Sequence, residues 1–204
     1  QPLEIPGASR VGIDDRSAMR ELADYLIDLG HENIGVLCMR LGRDRVDGVV
    51  TEERLKSPHF HVQRERIEGV RDAMAAAGRD LAGLTVVESF EHSAKSGHTA
   101  AAQAFRADPN ITALVCTSDV LALGALEWAR WQGMDVPGDL SVTGFDGIGE
   151  AIREGLTTIR QPQEEKGRRA GALLMSPSFS GVATALIKDT ELLPGRTAGP
   201  PFRS

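Results

Sequence analysis

The sequence predicts an α/β fold: a parallel sheet with helices on both faces. Three observations carry that expectation. Short apolar runs rich in Val, Ile and Leu alternate with amphipathic helical segments, Gly, Pro and Asp breakers separate them, and no strand is followed closely by another. Parallel strands need a helical crossover, and a sheet covered by helices on both faces makes its strands read as continuous apolar runs.

Taken in order, the opening QPLEIPGASR is turn-rich and predicts neither helix nor strand, and a first residue that is Gln1 rather than Met suggests a chain that begins inside a longer protein. Asp14 and Asp15 can cap the first helix, whose apolar positions Met19, Leu22, Ala23, Leu26 and Ile27 follow helical spacing until Gly30. NIGVLCM (33–39) reads as a buried strand. Residues 40–58 are charged, hold two glycines and lack periodicity, which predicts a long, weakly ordered surface loop. A helix over 61–77 is expected, with Val62, Ile67, Val70, Met74 and Ala77 inward, Arg66 at another azimuth and Gly78 as its stop.

LTVVES (84–89) is the next strand, 94–107 a helix ended by Asp108 and Pro109, and ITALVCT (111–117) a third strand. SDVLALGALEWARWQG makes a helix apolar on most sides, and LSVTGF (140–145) is the fourth strand. The last sixty residues break this rhythm: LTTIRQP (156–162) is extended, QEEKGRRAGALLM (163–175) a helix, ATALIKDTELLP (183–194) a strand candidate and RTAGPPFRS a frayed tail. The organisation expected is a crossover at 1–16, a main lobe at 17–148, a crossover and helix of a second lobe at 149–180, and a main-lobe strand and tail at 181–204.

Composition narrows the function. The 204 residues carry 23 basic and 29 acidic side chains, a net charge of -6, and no cluster of Lys and Arg suited to gripping a phosphate backbone. No run approaches the ~20 apolar residues of a membrane-spanning helix, and no basic-then-apolar leader is visible. Cys38 and Cys116 each sit in an apolar run and read as buried thiols, an expectation that fits a cytoplasmic protein. The hydrolase-elbow, dinucleotide and nucleotide-phosphate signatures are absent, so no enzymatic activity and no cofactor are expected. His59 and His61 form an H-x-H pair without further ligands, and no metal site is expected.

In a doubly wound sheet, small ligands bind beyond the carboxyl ends of the strands. That rule directs attention to Met39 onward, 90–93, Ser118 with Asp119, and 146–148. Arg66 can fork onto hydroxyls or a carboxylate, or be an ordinary solvated arginine. Asp146 can accept from adjacent hydroxyls, or serve the turn before Gly147. Ser118 and Asp119 can touch a ligand or cap the following helix, and His92 can reach the same edge or be a plain loop residue. Trp128 and Trp131 share one helix and read as core or subunit-contact residues.

Several motifs then coincide in order. RERIEGVRDAMAAAG (64–78), CTSDVLALGAL (116–126), DLSVTGFD (139–146) followed by LTTIRQP (156–162), and DLGHENIGVL (28–37) together resemble the effector-binding part of the LacI/GalR family of bacterial transcriptional regulators. The resemblance implies a two-lobed, periplasmic-binding-protein-like fold of type I, with this chain holding mostly the C-terminal lobe. It implies a small effector between the lobes, an arginine and an aspartate at the positions of Arg66 and Asp146, contacts at Ser118 and His92, and a crossover residue, Gln161, near the cleft. It further implies a homodimer and operator DNA bound through a helix-turn-helix outside this chain. An Arg and Asp pair suits vicinal hydroxyls, so a sugar is the expected effector. Gly147 stands where the family has a second Asp, and the 40–58 loop is longer than the family's. The rival expectation is an exported sugar-binding protein of a transporter.

Overall fold

The structure, a computed structural model, describes residues 10–56, 59–175, 184–186 and 190–202. The sequence readings at 1–9, 57–58, 176–183, 187–189 and 203–204 lie outside the described residues. In chain order the elements are β1 (Arg10–Gly12), α1 (Asp15–Asp28), β2 (Ile34–Met39), β3 (Gly48–Val49), α2 (Glu52–Lys56), α3 (His61–Ala76), β4 (Thr85–Ser89), α4 (Ala94–Ala107) and β5 (Ala113–Cys116). Then follow α5 (Asp119–Trp131), β6 (Ser141–Asp146), α6 (Gly149–Arg153), β7 (Thr157–Arg160), α7 (Gln163–Met175), β8 (Thr184–Leu186) and β9 (Glu191–Leu193).

Seven strands make one sheet in the order β3-β4-β2-β5-β6-β7-β9, with β4 to β7 parallel and the edge strands β3 and β9 antiparallel to their neighbours. Strand alternation sorts the core. Ile34, Val36 and Cys38 of β2 join the cluster that includes α1 and α3, whereas Leu37 joins the one that includes α4 and α5. Met19, Leu22 and Leu26 on α1 are fully buried, each contributing roughly 1.5–3 kcal/mol of transfer free energy. The two cysteines fall in opposite clusters and both are free, and burial pushes both thiols up.

Helix pairs approach backbone to backbone where glycine allows it. A Cβ on Gly69 of α3 would lie 2.4 Å from the carbonyl oxygen of Arg16 on α1. On the other face, a Cβ on Gly124 of α5 would lie 1.9 Å from the carbonyl oxygen of Ala94 on α4. Local signals behave as expected: the Asp14 side chain caps α1 by accepting from the Ser17 amide at 3.0 Å, and Gly30 ends the turn beyond it at φ 102.

Four expectations are corrected. First, the expected loop is built into the sheet over its described part, 40–56: β3 pairs with β4, α2 follows, and Leu41 is buried. Its anchor is Arg54, whose Nε and Nη2 both donate to the Glu88 carboxylate, while Nη1 donates to Asp44 at 2.9 Å. Glu88, buried within β4, also accepts from the Leu41 amide at 2.6 Å. A buried carboxylate requires such partners, and the segment supplies them.

Second, the buried stripe of α3 is Gln63, Arg66, Ile67, Val70, Ala73 and Met74, while Val62 and Ala77 are exposed. Arg66 is one helical turn before Val70 and belongs to that stripe. Third, the candidate strand 183–194 divides. β8 pairs in parallel with β1 in a separate two-stranded sheet against which α7 packs, and only β9 joins the main sheet, antiparallel to β7.

Fourth, the tail is held rather than frayed over its first half. Thr197 is buried, donating to the Val142 carbonyl at 2.7 Å and accepting from the Thr157 amide at 2.9 Å. The Gly199 amide donates to Ser141 Oγ at 3.0 Å, and its carbonyl is 2.8 Å from His31 Nε2. His31, 1% exposed, also has Nδ1 2.9 Å from Thr112 Oγ1, and burial holds its pKa below the ordinary histidine value.

Candidate functional site

The chain leaves β2 toward β4 on one side and returns to β5 on the other, so the strand order reverses between β2 and β5. The crevice beyond the carboxyl ends of those strands is where such sheets bind ligands, because the loops there diverge to opposite faces. Gln63, buried at the start of α3, spans this point. Its Oε1 accepts from the Met39 amide at 3.2 Å and from Thr117 Oγ1 at 2.7 Å.

One turn later Arg66 enters the same edge, 5% exposed. Its Nε donates to Asp15 Oδ1 at 2.9 Å and its Nη1 to the Thr117 carbonyl at 2.5 Å, while its guanidinium carbon lies 3.8 Å from the centroid of the Phe145 ring. Its Nη2 has no hydrogen-bond partner among the described residues, leaving donor capacity in a group otherwise locked in place. Nη1 is 3.7 Å from Asp146 Oδ1, close enough for charge attraction but outside direct hydrogen-bond range.

Asp146 ends β6 at φ 126, a conformation that L side chains adopt at a cost, and Gly147 follows at φ 71. The pair turns the chain sharply and leaves the carboxyl group at the sheet edge. Burial, partly opposed by Arg66 and reinforced by the charge of Asp119, pushes the Asp146 carboxyl up to about 6. Gln161 Nε2 donates to Asp146 Oδ1 at 2.6 Å, and Lys166 Nζ donates to Gln161 Oε1 at 2.8 Å.

The structure thus brings all five expected site residues to one edge. Gln161 bonds Asp146, Asp146 faces Arg66, Arg66 holds the carbonyl of Thr117, and the next residue, Ser118, has Oγ 3.0 Å from His92 Nε2. Their surroundings differ. His92 lines a cavity of about 560 Å³ with Met39, Arg40, Phe60, Gln63 and Phe90, whereas Asp146 and Gln161 line a neighbouring one of about 590 Å³ toward α7. Burial, reinforced by Arg66, lowers the His92 pKa and keeps the ring neutral near pH 7.

Ser118 also caps α5, its hydroxyl accepting from the Leu121 amide at 3.3 Å. Asp119 is fully buried and structural: Oδ1 accepts from Thr158 Oγ1 at 2.5 Å and Oδ2 from the Ile148 amide at 2.8 Å, tying α5 to β7 and to the turn after β6. Burial pushes its carboxyl up as well. Of the two tryptophans, Trp128 is buried against Phe105, with centroids 4.7 Å apart, and Trp131 is exposed. His61 faces Glu65 at 3.6 Å, and His59 donates its amide to the Leu41 carbonyl.

Asp15, Gln63 and Phe60 lie outside the ligand-edge positions that the sequence marks. For Asp15 the sequence offers only a capping role, which Asp14 takes. Gln63 carried a usable signal, since it lies four residues before Ile67 on the buried stripe.

The fold and this edge define a periplasmic-binding-protein-like ligand-binding domain. The family model described as a periplasmic binding protein-like domain matches residues 23–185. An HTH-type transcriptional regulator of Mycobacterium tuberculosis is 58% identical over 201 residues, covering 98% of this chain, and the chain spans 56% of that relative's length. A LacI-family transcriptional regulator of known structure from Corynebacterium glutamicum is 35% identical with a TM-score of 0.89, over 97% of this chain and 59% of its own. The structure of a CelR–cellobiose complex, a transcriptional regulator, is 26% identical with a TM-score of 0.79, over 96% of this chain and 56% of its own. The chain belongs to the LacI family of transcriptional regulators, of which it is the ligand-binding part. None of the helices among the described residues is long and apolar enough to cross a membrane.

Proposed function

We propose that this chain senses a sugar at the Arg66–Asp146 edge and passes its occupancy to a DNA-binding region outside these residues, altering operator affinity. The observation that carries the reading is Arg66 itself. A 5% exposed guanidinium is fixed by Asp15 and Thr117 while Nη2 stays available, 3.7 Å from a carboxyl group with which it can share neighbouring hydroxyls. Cellobiose in the CelR complex supports a carbohydrate ligand. β1, β8 and α7 belong in this reading to the second lobe, and the effector shifts the angle between lobes by binding one arrangement more tightly than the other. The regulator acts as a homodimer in the cytoplasm, without catalysis.

Calorimetry on the full-length protein with a panel of glucose, ribose and cellobiose tests the site. The expected result is binding of at least one sugar, lost in Arg66→Ala and in Asp146→Ala. Unchanged affinity in both variants overturns the assignment. Light scattering tests the dimer, and a monomer at all concentrations contradicts it.

A further inference from the structure

Arg40 directly follows β2 and lines the 560 Å³ cavity with Phe60, Gln63, Phe90, Glu91 and His92. Its guanidinium carbon lies 5.0 Å from the centroid of the Phe60 ring and 5.4 Å from that of Phe90. Two half-buried rings therefore hold an exposed cation at the mouth of the cavity, through attraction between its charge and the ring faces. Among the described residues Arg40 has no hydrogen bond and no ion pair. The nearby acid, Glu91, has its carboxylate on Arg45 at 2.7 Å, and that arginine also covers the Phe90 ring at 5.2 Å.

The cavity is joined to the edge described above. Gln63 lines it and accepts from Thr117 Oγ1, whose residue's carbonyl receives Arg66, and His92 lines it while meeting Ser118. A ligand held by Arg66 and Asp146 can thus extend over Gln63 toward Arg40. The donors of Arg40 form a planar fork matched to the two oxygens of a carboxylate or phosphate.

We infer that Arg40 is a specificity-determining residue that reads an anionic substituent on the effector, so that the preferred ligand is an acidic sugar, either a sugar phosphate or a sugar acid. This rests on the reading of the Arg66–Asp146 edge as the sugar site. Arg40 discriminates between acidic and neutral sugars. Arg66 and Asp146 hold the hydroxyls common to both.

The test is calorimetry on the full-length protein with matched probes: glucose, glucose 6-phosphate and glucuronate, and ribose with ribose 5-phosphate. At least one acidic probe is expected to bind about tenfold or more tightly than its neutral parent, as a charge-assisted contact provides. Arg40→Met should bring that probe to the parent's affinity without changing the parent's own. Whether phosphate or carboxylate is preferred separates the two ligand types. Neutral sugars that bind in an Arg66-dependent way, with no acidic preference or no effect of Arg40→Met, overturn this inference and leave the sugar site standing. Failure of every probe, acidic and neutral, overturns both.

Discussion

Replacing Arg66 by alanine removes the side chain on which the candidate site is built, and its cost can be worked from the pair it breaks. The Arg66 and Asp15 side chains are only 6% and 9% exposed, so Asp15 would remain buried without its cation. Breaking a buried ion pair from one side costs about 3–5 kcal/mol. The cation over the Phe145 ring and the donor to the Thr117 carbonyl are lost with it. For a chain of this size each kcal/mol shifts the melting temperature by about 2–4 °C, giving a fall of roughly 6–20 °C. The assay is thermal unfolding of the full-length protein followed by circular dichroism, at fixed protein concentration and without ligand. Adding Asp15→Asn to the Arg66→Ala variant should recover about 1 kcal/mol or more, because it removes the uncompensated charge. A loss below ~1 kcal/mol, the range of an exposed ion pair, would contradict a buried pair between Arg66 and Asp15. So would strict additivity of the two changes.

Other predictions follow from single observations. Because the Asp146 carboxyl is raised to about 6, a ligand that needs its ionised form should bind progressively more weakly below pH 6 in calorimetry, and Asp146→Asn should bind it weakly at every pH. The same raised value favours the protonated form in the fold. Its contribution to stability is therefore present below the unfolded value and lost as pH rises through about 6, so Asp146→Asn without ligand should melt at or above the wild-type temperature at pH 8. The lowered pKa of buried His31 works the other way: its stabilisation is present above the ordinary histidine value and lost as pH falls through the lowered one. His31→Gln should thus melt lower at pH 8 and lose less on acidification. Gly124→Ala sets a methyl 1.9 Å from the Ala94 carbonyl oxygen and should cost at least the ~1–3 kcal/mol of an overpacked core, read in a denaturant titration. Arg54→Ala leaves Glu88 buried without its cation and should expose the segment around β3 and α2 to limited proteolysis; an unchanged cleavage pattern would contradict the anchoring role.

What was legible in the sequence follows from the range of the interactions. β2, β4, β5 and β6, with α1, α4 and α5, are specified by periodicity and by nearby breakers, and their readings hold to within a residue or two. The carboxyl-end rule led to Asp146, Ser118 and His92, because ligand-edge positions follow from strand order alone. The misread parts depend on partners far along the chain. Arg54 meets Glu88 across 34 residues, and His31 meets Gly199 across 168, so neither the ordered 40–56 segment nor the held part of the tail has a local signature. The position of Arg66 differs from expectation for another reason. Charged residues ordinarily face away from an apolar stripe, whereas the spacing of Arg66 from Val70 puts it within the stripe, with Asp15 as the compensating charge. The division of 183–194 between two sheets was equally hidden, since β8 finds its partner in β1, at the other end of the chain.

In the function proposed above, one edge of the sheet, at the carboxyl ends of β2, β4, β5 and β6, receives the effector. Hydrogen exchange of the full-length protein, with and without a saturating sugar or sugar phosphate, tests it most directly. New protection is expected at Met39–Arg40, at 63–66, at 116–118 and at Asp146–Gly147, with the outer faces of α4 and α5 unchanged. Protection confined to those outer faces or to the 41–54 segment, with the sheet edge unaltered, would contradict it.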